Sequence, residues 1–291
     1  MLPSKFEYFR PDTLQAALSL LSTYQEDAKV LAGGQSLLSL MKLRLASPKI
    51  LIDLSGIPHL SYIAAADGGG GASGARIAIG ALTTYAEIRE SALLQGRCPL
   101  LCQTARFVGD VQVRNRGTLG GSLAQADPAG DLPAAALALA AEIKAVSPRG
   151  ERWIKADDFF VSTFTTSLLP DEIVVEISVP VLAGYRTVYL KNAPRPSDFA
   201  IVGIAVCLKL DAMKRCEDIA IGVTGVADRV YRARNVENAL KGKDLEPATI
   251  EKAASLVTEG MDVTGNIHAS KEFRSYLAPL WVRRAIQAAL A

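Results

Sequence analysis

Two short segments rich in glycine and hydroxyl side chains are the parts of this chain best suited to chemistry. The first is Ala32-Gly33-Gly34-Gln35-Ser36, and the second is Thr118-Leu119-Gly120-Gly121-Ser122. Glycines let backbone N–H groups approach phosphate oxygens closely, and serine or threonine hydroxyls add neutral donors. A plain tight turn also explains each segment taken alone. Two such segments together can hold a diphosphate from opposite sides, so the pair is the stronger signal.

Two aspartates follow the second segment, in Asp127-Pro128-Ala129-Gly130-Asp131. Asp131 stands at the entrance of an alanine-rich stretch that predicts a helix over 131–141. A helix N-cap, with Pro133 in the first turn, is its ordinary structural role. The functional alternative is that Asp131 accepts a hydrogen bond from a ribose or ribityl hydroxyl. The residues alone leave both interpretations open.

A third glycine cluster, Gly69-Gly70-Gly71-Ala72-Ser73-Gly74, matches the dinucleotide pattern G-x-G-x-x-G. That pattern works only where a strand leads into the first glycine and a helix begins near the last one. Here the glycines are followed by Arg76-Ile77-Ala78-Ile79-Gly80, in which every second residue is an isoleucine, an alternation typical of a strand. We therefore predict a flexible hairpin turn at this cluster and no dinucleotide site.

Cysteine and histidine, the side chains that metal sites and catalysis draw on, are few in this chain. The cysteines are Cys98, Cys102, Cys207 and Cys216, and the histidines are His59 and His268. None of them has the C-x-x-C spacing or the paired partners of a metal site. We predict reduced, core-packed thiols, no metal site and no catalytic side chain. Any redox work must then come from a bound cofactor.

Composition excludes several classes of protein. The 291 residues are 49% hydrophobic and 21% charged, and 32 basic against 30 acidic residues leave a net charge of +2. Such a chain can bury enough apolar surface to fold, and it has no basic run typical of nucleic-acid binding. No stretch approaches the roughly 18 apolar residues of a membrane span, and the N-terminus lacks a secretory signal. We expect a cytoplasmic protein without a nucleic-acid partner.

The elements that must position these segments are predicted from hydrophobic periodicity. Helices are predicted at 13–24, with Asp12 as N-cap, and at 84–94, 100–107, 131–141, 236–240, 247–259 and 271–289. Strands are predicted at 29–31, 49–54, 62–64, 76–80, 142–147, 173–179, 185–191, 200–210 and 219–226. Late strands followed by helices indicate an α+β C-terminal domain. We expect one domain over 1–177, with subdomains 1–56 and 57–177, and a second over 178–291.

Three motifs resemble a known family. They are A-G-G-Q-S at 32–36, R-N-R-G-T-L-G-G-S-L at 114–123 with D-P-A-G-D behind it, and Y-L-K at 189–191 followed by D-F-A-I-V-G-I-A at 198–205. Together they resemble the FAD-binding medium subunit of the molybdenum hydroxylases, which include carbon monoxide dehydrogenase medium chains and the flavin domain of xanthine dehydrogenase. The resemblance covers essentially the whole chain. It implies an α+β fold: a bipartite FAD-binding domain of the vanillyl-alcohol-oxidase type and an α+β C-terminal domain with a three-stranded antiparallel sheet plus helices.

The resemblance also implies which residues bind FAD. The two glycine segments would hold the diphosphate through backbone N–H groups, and Asp131 would bind cofactor hydroxyls. Val174 would pack against the isoalloxazine, Tyr189 would cover one ring face, and Lys191 would lie near the polar edge of the ring. The full set of implied cofactor-binding residues is Val30, Leu31, Ala32, Gly33, Gly34, Gln35, Ser36, Leu37, Thr118, Leu119, Gly120, Gly121, Ser122, Asp127, Asp131, Val174, Tyr189 and Lys191.

One turn departs from the family pattern. Pro194 and Pro196 replace residues that are often charged or polar in relatives, although Asp198-Phe199-Ala200 still matches. The chain also lacks the cysteine-bearing insertion by which some relatives carry an extra cluster. FAD is therefore expected to be its single redox centre.

The implied function is electron transfer within a larger complex. In this family a large molybdopterin subunit oxidises the substrate, and a small iron–sulfur subunit relays electrons through two 2Fe-2S clusters to the FAD of the medium chain. The flavin passes them to NAD, oxygen or a quinone-linked acceptor, and the complex is expected to be a dimer of heterotrimers. A self-sufficient flavin-dependent oxidase or dehydrogenase of the same fold is the alternative, and a non-enzymatic nucleotide-binding role is a further one.

Overall fold

A computed structural model of the chain describes residues 2–69 and 72–291. The strands are β1 (Glu7–Phe9), β2 (Ala28–Leu31), β3 (Ile50–Asp53), β4 (Ile63–Gly69), β5 (Ala72–Gly80), β6 (Glu142–Ser147), β7 (Gly150–Lys155), β8 (Phe160–Ser162), β9 (Thr165–Thr166), β10 (Ile173–Pro180), β11 (Arg186–Asn192), β12 (Val202–Leu210), β13 (Cys216–Thr224) and β14 (Tyr231–Arg232). The helices are α1 (Leu14–Tyr24), α2 (Leu37–Lys42), α3 (Tyr85–Glu90), α4 (Ala92–Arg97), α5 (Pro99–Ala105), α6 (Val111–Arg114), α7 (Leu119–Gln125), α8 (Asp131–Ala138), α9 (Ala156–Phe159), α10 (Arg234–Leu240), α11 (Pro247–Ala254) and α12 (Lys271–Leu290).

The first unit is a small parallel sheet in the order β1-β3-β2, with α1 connecting β1 to β2. α1 buries Ala17, Leu18 and Leu21 at the spacing of one helix face. Thr13, and not Asp12 as predicted, caps this helix, because the Thr13 hydroxyl accepts the N–H of Ala16. The first glycine segment leaves the carboxyl end of β2 and leads into α2.

The second unit is an antiparallel sheet in the order β4-β5-β10-β6-β7. β4 and β5 pair as a hairpin, so a strand and no helix follows the third glycine cluster. Gly70 and Gly71 in the predicted turn lie outside the described residues. The helix predicted at 84–94 is two helices, because Ser91 ends α3 and caps α4. β7 was not predicted, since this edge strand is largely exposed and lacks an apolar alternation.

The C-terminal domain is a four-stranded antiparallel sheet in the order β11-β12-β13-β14, where three strands were predicted. The added strand β14 is only 2 residues long, so it has no periodicity to detect. Alternate residues of β12 face two different cores. Ile204 and Val206 pack with the C-terminal helices, whereas Ala205 and Cys207 pack with the core of the second unit.

Helix α8 lies at the junction of the two halves, and all of its residues are buried. Its alanines let the C-terminal sheet approach so closely that a Cβ on Gly222 would overlap the carbonyl of Ala134. The α+β fold class is confirmed, and the four cysteines are free and buried as predicted. The domain division at residue 177 falls within β10 and stays a prediction. In the described part of the chain, no helix combines the length and the apolar character needed to cross a membrane.

Candidate cofactor-binding site

The first glycine segment presents a row of unpaired backbone donors. In the described part of the chain, the N–H groups of residues 33–37 donate to no backbone or side-chain acceptor. Gly34 has a φ of +76°, in the left-handed region that glycine adopts without strain. Val30 and Leu31 belong to β2, and Leu37 begins α2, so both ends of the segment are fixed. Successive free N–H groups of this kind form an anion-binding nest.

The second segment is the start of helix α7 and not a loop. Thr118 is the N-cap, and its Oγ1 accepts the N–H of Gly121 at 3.2 Å. The N–H groups of Leu119 and Gly120 donate to the carbonyls of Thr83 and Ala81, at 3.0 and 2.9 Å. The N–H of Ser122 donates to the Thr118 carbonyl at 2.9 Å. The N–H groups of residues 119–122, which were expected to bind the diphosphate, are thus engaged within the chain, and the hydroxyls of Thr118 and Ser122 remain as side-chain donors.

The two segments lie against each other, as a shared diphosphate site requires. A Cβ on Gly33 would overlap the carbonyl oxygen of Arg116 and come within 3.0 Å of the Gly117 Cα. A Cβ on Gly121 would lie 3.6 Å from the Cβ of Ala32 and 2.7 Å from the Oγ1 of Thr118. Gly33 is therefore required by a close approach of two backbones. The start of the first segment is thus in contact with the start of α7.

Three further predicted residues come together at the start of α8. The Asp131 carboxylate accepts hydrogen bonds from the Tyr189 hydroxyl and from the Lys191 ammonium, the latter at 2.9 Å. Lys191 also donates to the Phe107 carbonyl at 2.9 Å. The N-cap of α8 is Gly130, so the capping role considered for Asp131 is wrong. Its carboxylate instead turns toward the C-terminal sheet, where the Lys191 ammonium and the Tyr189 hydroxyl compensate its burial.

Burial dominates the electrostatics of this cluster. It raises the pKa of Asp131, and the charge and hydrogen bonds of Lys191 and Tyr189 oppose that rise. Burial and the neighbouring carboxylate raise the pKa of Tyr189 well above its ordinary value, so the phenol stays protonated and donates. The Tyr189 ring meets Phe107 edge to face at 5.6 Å. The role predicted for Tyr189 on a flavin face stays a prediction.

The last two predicted residues have local roles in the structure. Asp127 closes a turn, because its Oδ1 accepts the N–H of Ala129 at 2.9 Å, and burial raises its pKa. Val174 is buried on β10 in the core of the second unit. The turn with Pro194 and Pro196 keeps the strand pairing, since the Ile201 N–H donates to Asn192 at 2.8 Å. The contacts expected of Asp127 and Val174 with FAD stay predictions.

Tyr85 is a site residue that the sequence did not reveal. It begins α3, is buried, and donates its N–H to the Gly117 carbonyl at 3.0 Å. A Cβ on Gly117 would overlap its ring. Its position in a predicted helix gave no signal that it contacts Gly117, directly before the second segment.

Free backbone donors beside a hydroxyl-bearing helix start are what a protein that binds a phosphate-containing cofactor would offer. Residues 4–182 match the family model of the FAD-binding domain in molybdopterin dehydrogenase. Residues 188–289 match that of the CO dehydrogenase flavoprotein C-terminal domain. The chain therefore belongs to the family of FAD-binding medium subunits of the molybdenum hydroxylases, and it is an oxidoreductase subunit that carries an FAD-binding domain.

Full-length relatives support this assignment. The chain is 37% identical to the glyceraldehyde dehydrogenase medium chain of Sulfolobus acidocaldarius over 287 residues, covering 99% of each. It is 36% identical to the carbon monoxide dehydrogenase medium chain of Hydrogenophaga pseudoflava over 292 residues, covering 100% of this chain and 99% of the other. A solved carbon monoxide dehydrogenase from the same organism, lacking the Mo-pyranopterin moiety of its cofactor, matches with a TM-score of 0.94 and 37% identity, over 100% of this chain and 99% of that one.

Proposed function

We propose that this chain is the FAD-carrying electron-transfer subunit of a molybdenum-containing hydroxylase or dehydrogenase. The observation that carries the proposal is the row of unpaired N–H groups at 33–37, packed against the hydroxyl-bearing start of α7. When bound, FAD supplies the redox chemistry, taking up electrons from a donor and giving them to an external acceptor.

The part of the chain in this function is binding and orientation. The N–H groups of residues 33–37 would hold the diphosphate, and the hydroxyls of Thr118 and Ser122 would donate from the opposite side. The buried pair of Asp131 and Lys191 fixes the C-terminal sheet beside the start of α8. Within residues 2–69 and 72–291, no cluster of three metal-ligating side chains occurs. The free N–H groups and the buried ion pair suit a subunit that shapes a cofactor site.

The names of the relatives support a choice of partners. Two relatives are named medium chains of dehydrogenases, and the structural match is a carbon monoxide dehydrogenase that lacks the Mo-pyranopterin moiety of its molybdenum cofactor. We propose a large molybdopterin subunit that oxidises the substrate and a small subunit whose 2Fe-2S clusters relay electrons to this chain. The assembly would be a dimer of heterotrimers, with NAD, oxygen or a quinone-linked compound as the acceptor.

Co-expression with the products of the adjacent reading frames tests this proposal. We expect a stable complex that contains iron, molybdenum and FAD, in which substrate reduces the flavin. The chain expressed alone should show flavin absorption bands, after reconstitution with FAD if necessary, and should oxidise no substrate. Substrate turnover by the isolated chain would instead support a self-sufficient flavin enzyme. Absence of flavin bands after reconstitution would refute the proposal.

A further inference from the structure

Tyr85 packs against the peptide between Arg116 and Gly117, which the first glycine segment also contacts. Its backbone is fixed by a capping box, in which the Thr84 N–H donates to Glu87 at 2.7 Å and the Glu87 N–H donates to the Thr84 hydroxyl at 3.3 Å. The Tyr85 N–H then donates to the Gly117 carbonyl at 3.0 Å. The ring is 7% exposed and lies where a side chain on Gly117 would be. The backbone of Tyr85 is thus fixed by the capping box, and its ring contacts Gly117, directly before the second segment.

The peptide between Arg116 and Gly117 is enclosed on two sides. The Tyr85 ring packs on the Gly117 Cα, and Gly33 lies against the carbonyl oxygen of Arg116. Because neither glycine carries a Cβ, ring, peptide and first segment are in direct contact. Moving the ring would free this peptide and, through it, the segment that begins at Gly33.

The phenol of Tyr85 carries no charge at the site. Burial raises the pKa of Tyr85 to about 12. The hydroxyl therefore stays neutral at physiological pH, and Tyr85 brings no negative charge toward a bound diphosphate.

We infer that Tyr85 is a positioning residue of the dinucleotide site, because its ring holds the Arg116–Gly117 peptide against Gly33. This inference rests on the proposed binding of FAD between the two segments. Tyr85 acts through the residues it touches, and it needs no contact of its own with the cofactor. Tyr85 thereby maintains the arrangement of the backbone around the proposed diphosphate site.

Two substitutions distinguish the aromatic ring of Tyr85 from its hydroxyl. Tyr85→Leu removes both groups, whereas Tyr85→Phe keeps the ring and removes only the hydroxyl. The matched control is Tyr231→Leu, because Tyr231 is also 7% exposed and bonded through its hydroxyl to a backbone carbonyl, but lies in the C-terminal core. Each full-length variant is stripped of flavin and titrated with FAD and with ADP-ribose, which carries the diphosphate without the flavin ring. Unfolding midpoints are measured in parallel.

We expect Tyr85→Leu to raise the Kd for FAD and for ADP-ribose by the same factor, about tenfold or more, and Tyr85→Phe to restore most of the affinity. The flavin spectrum of Tyr85→Leu saturated with FAD should match that of the wild type. Tyr231→Leu should lose stability to a similar extent with both Kd values within about twofold of wild type.

The titrations distinguish a failure of the proposed FAD site from a failure of the positioning role of Tyr85. If the wild-type chain binds neither ligand, the proposed cofactor site itself fails. If the wild type binds both and Tyr85→Leu binds them equally well, the positioning role is overturned while FAD binding stands. A loss confined to FAD would also overturn it, because Tyr85 would then act at the flavin ring. Equal losses in Tyr85→Leu and Tyr231→Leu would reduce Tyr85 to a general packing residue.

Discussion

Lys191 and Asp131 form a buried ion pair that joins the C-terminal sheet to the first residue of α8. The ammonium lies 2.9 Å from the carboxylate, and the two side chains are 2% and 5% exposed. The Phe107 carbonyl and the Tyr189 hydroxyl complete the hydrogen bonding of the pair. Helix α8, strand β11 and the segment after α5 are therefore joined at one point beside the proposed cofactor site.

Removing one partner of this ion pair should strongly destabilise the folded state. Lys191→Met leaves the Asp131 carboxylate buried without its cation, so we expect a loss of about 3–5 kcal/mol in the free energy of unfolding. Urea denaturation of the variant and the wild type measures this difference in the free energy of unfolding. Lys49→Met is the control, because the ion pair of Lys49 with Asp27 has side chains that are 73% and 52% exposed. That variant should lose less than about 1 kcal/mol. Comparable losses in the two variants would contradict a structural role for the buried pair.

The parts of the fold with strong periodicity were predictable from the sequence. The helix predicted at 271–289 is observed as α12, because Ser270 caps its start and a buried face follows at helical spacing. β14 was not predictable, since its 2 residues form a strand only by pairing with Gly222 and Val223 of β13. Such a pairing depends on tertiary contacts, which a local pattern does not contain.

The candidate site likewise has parts that the sequence predicted and parts that it did not. Glycine and hydroxyl spacing indicated both segments, and the structure brings them together. The sequence did not show that α7 begins inside the second segment, because the acceptors of its first N–H groups, Ala81 and Thr83, come from a distant turn. The contribution of Tyr85 was hidden for a similar reason. A tyrosine in the first turn of an amphipathic helix carries no sign of what its ring touches.

Gly33→Ala should abolish FAD binding. The added Cβ would overlap the Arg116 carbonyl, and neither backbone can move without opening the contact between the two segments. Equilibrium titration of the flavin-free chain with FAD measures the effect. Gly96→Ala is the matched control, because a Cβ added there would meet no atom within 4 Å and the residue lies within α4. This variant should bind FAD normally and gain about 0.5–1 kcal/mol in stability. Normal FAD binding by Gly33→Ala would refute the assignment of the first segment.

Gly121→Val and Ser122→Ala test the second segment with graded effects. A Cβ on Gly121 would crowd the Thr118 hydroxyl at 2.7 Å, so the branched valine should displace this donor and prevent FAD retention. Ser122→Ala removes one neutral hydrogen bond, which is worth about 1 kcal/mol, or roughly a fivefold rise in Kd. FAD content after purification and the Kd for FAD report the two effects. Wild-type FAD content in Gly121→Val would show that this segment does not face the cofactor.

Glu172 should contribute to the pH dependence of stability. Burial raises its pKa, but hydrogen bonds from Arg152, at 2.6 and 2.8 Å, and from the Leu169 N–H, at 2.7 Å, outweigh burial and hold the pKa below its ordinary value. A carboxyl whose pKa is lower in the folded state stabilises the fold above its unfolded pKa. This contribution is lost as the pH falls through the folded pKa.

Glu172→Gln should therefore flatten the acid side of the stability profile. The variant should be less stable than the wild type at neutral pH, because the glutamine cannot form the charged pair with Arg152, and the difference should shrink as the pH falls below the ordinary range for glutamate. Free energies of unfolding from urea titrations across this range measure it. Asp27→Asn, which alters an exposed pair, should leave the profile unchanged. A constant difference between Glu172→Gln and wild type at every pH would mean that the substitution acts through packing, because only a titrating carboxylate can make that difference depend on pH.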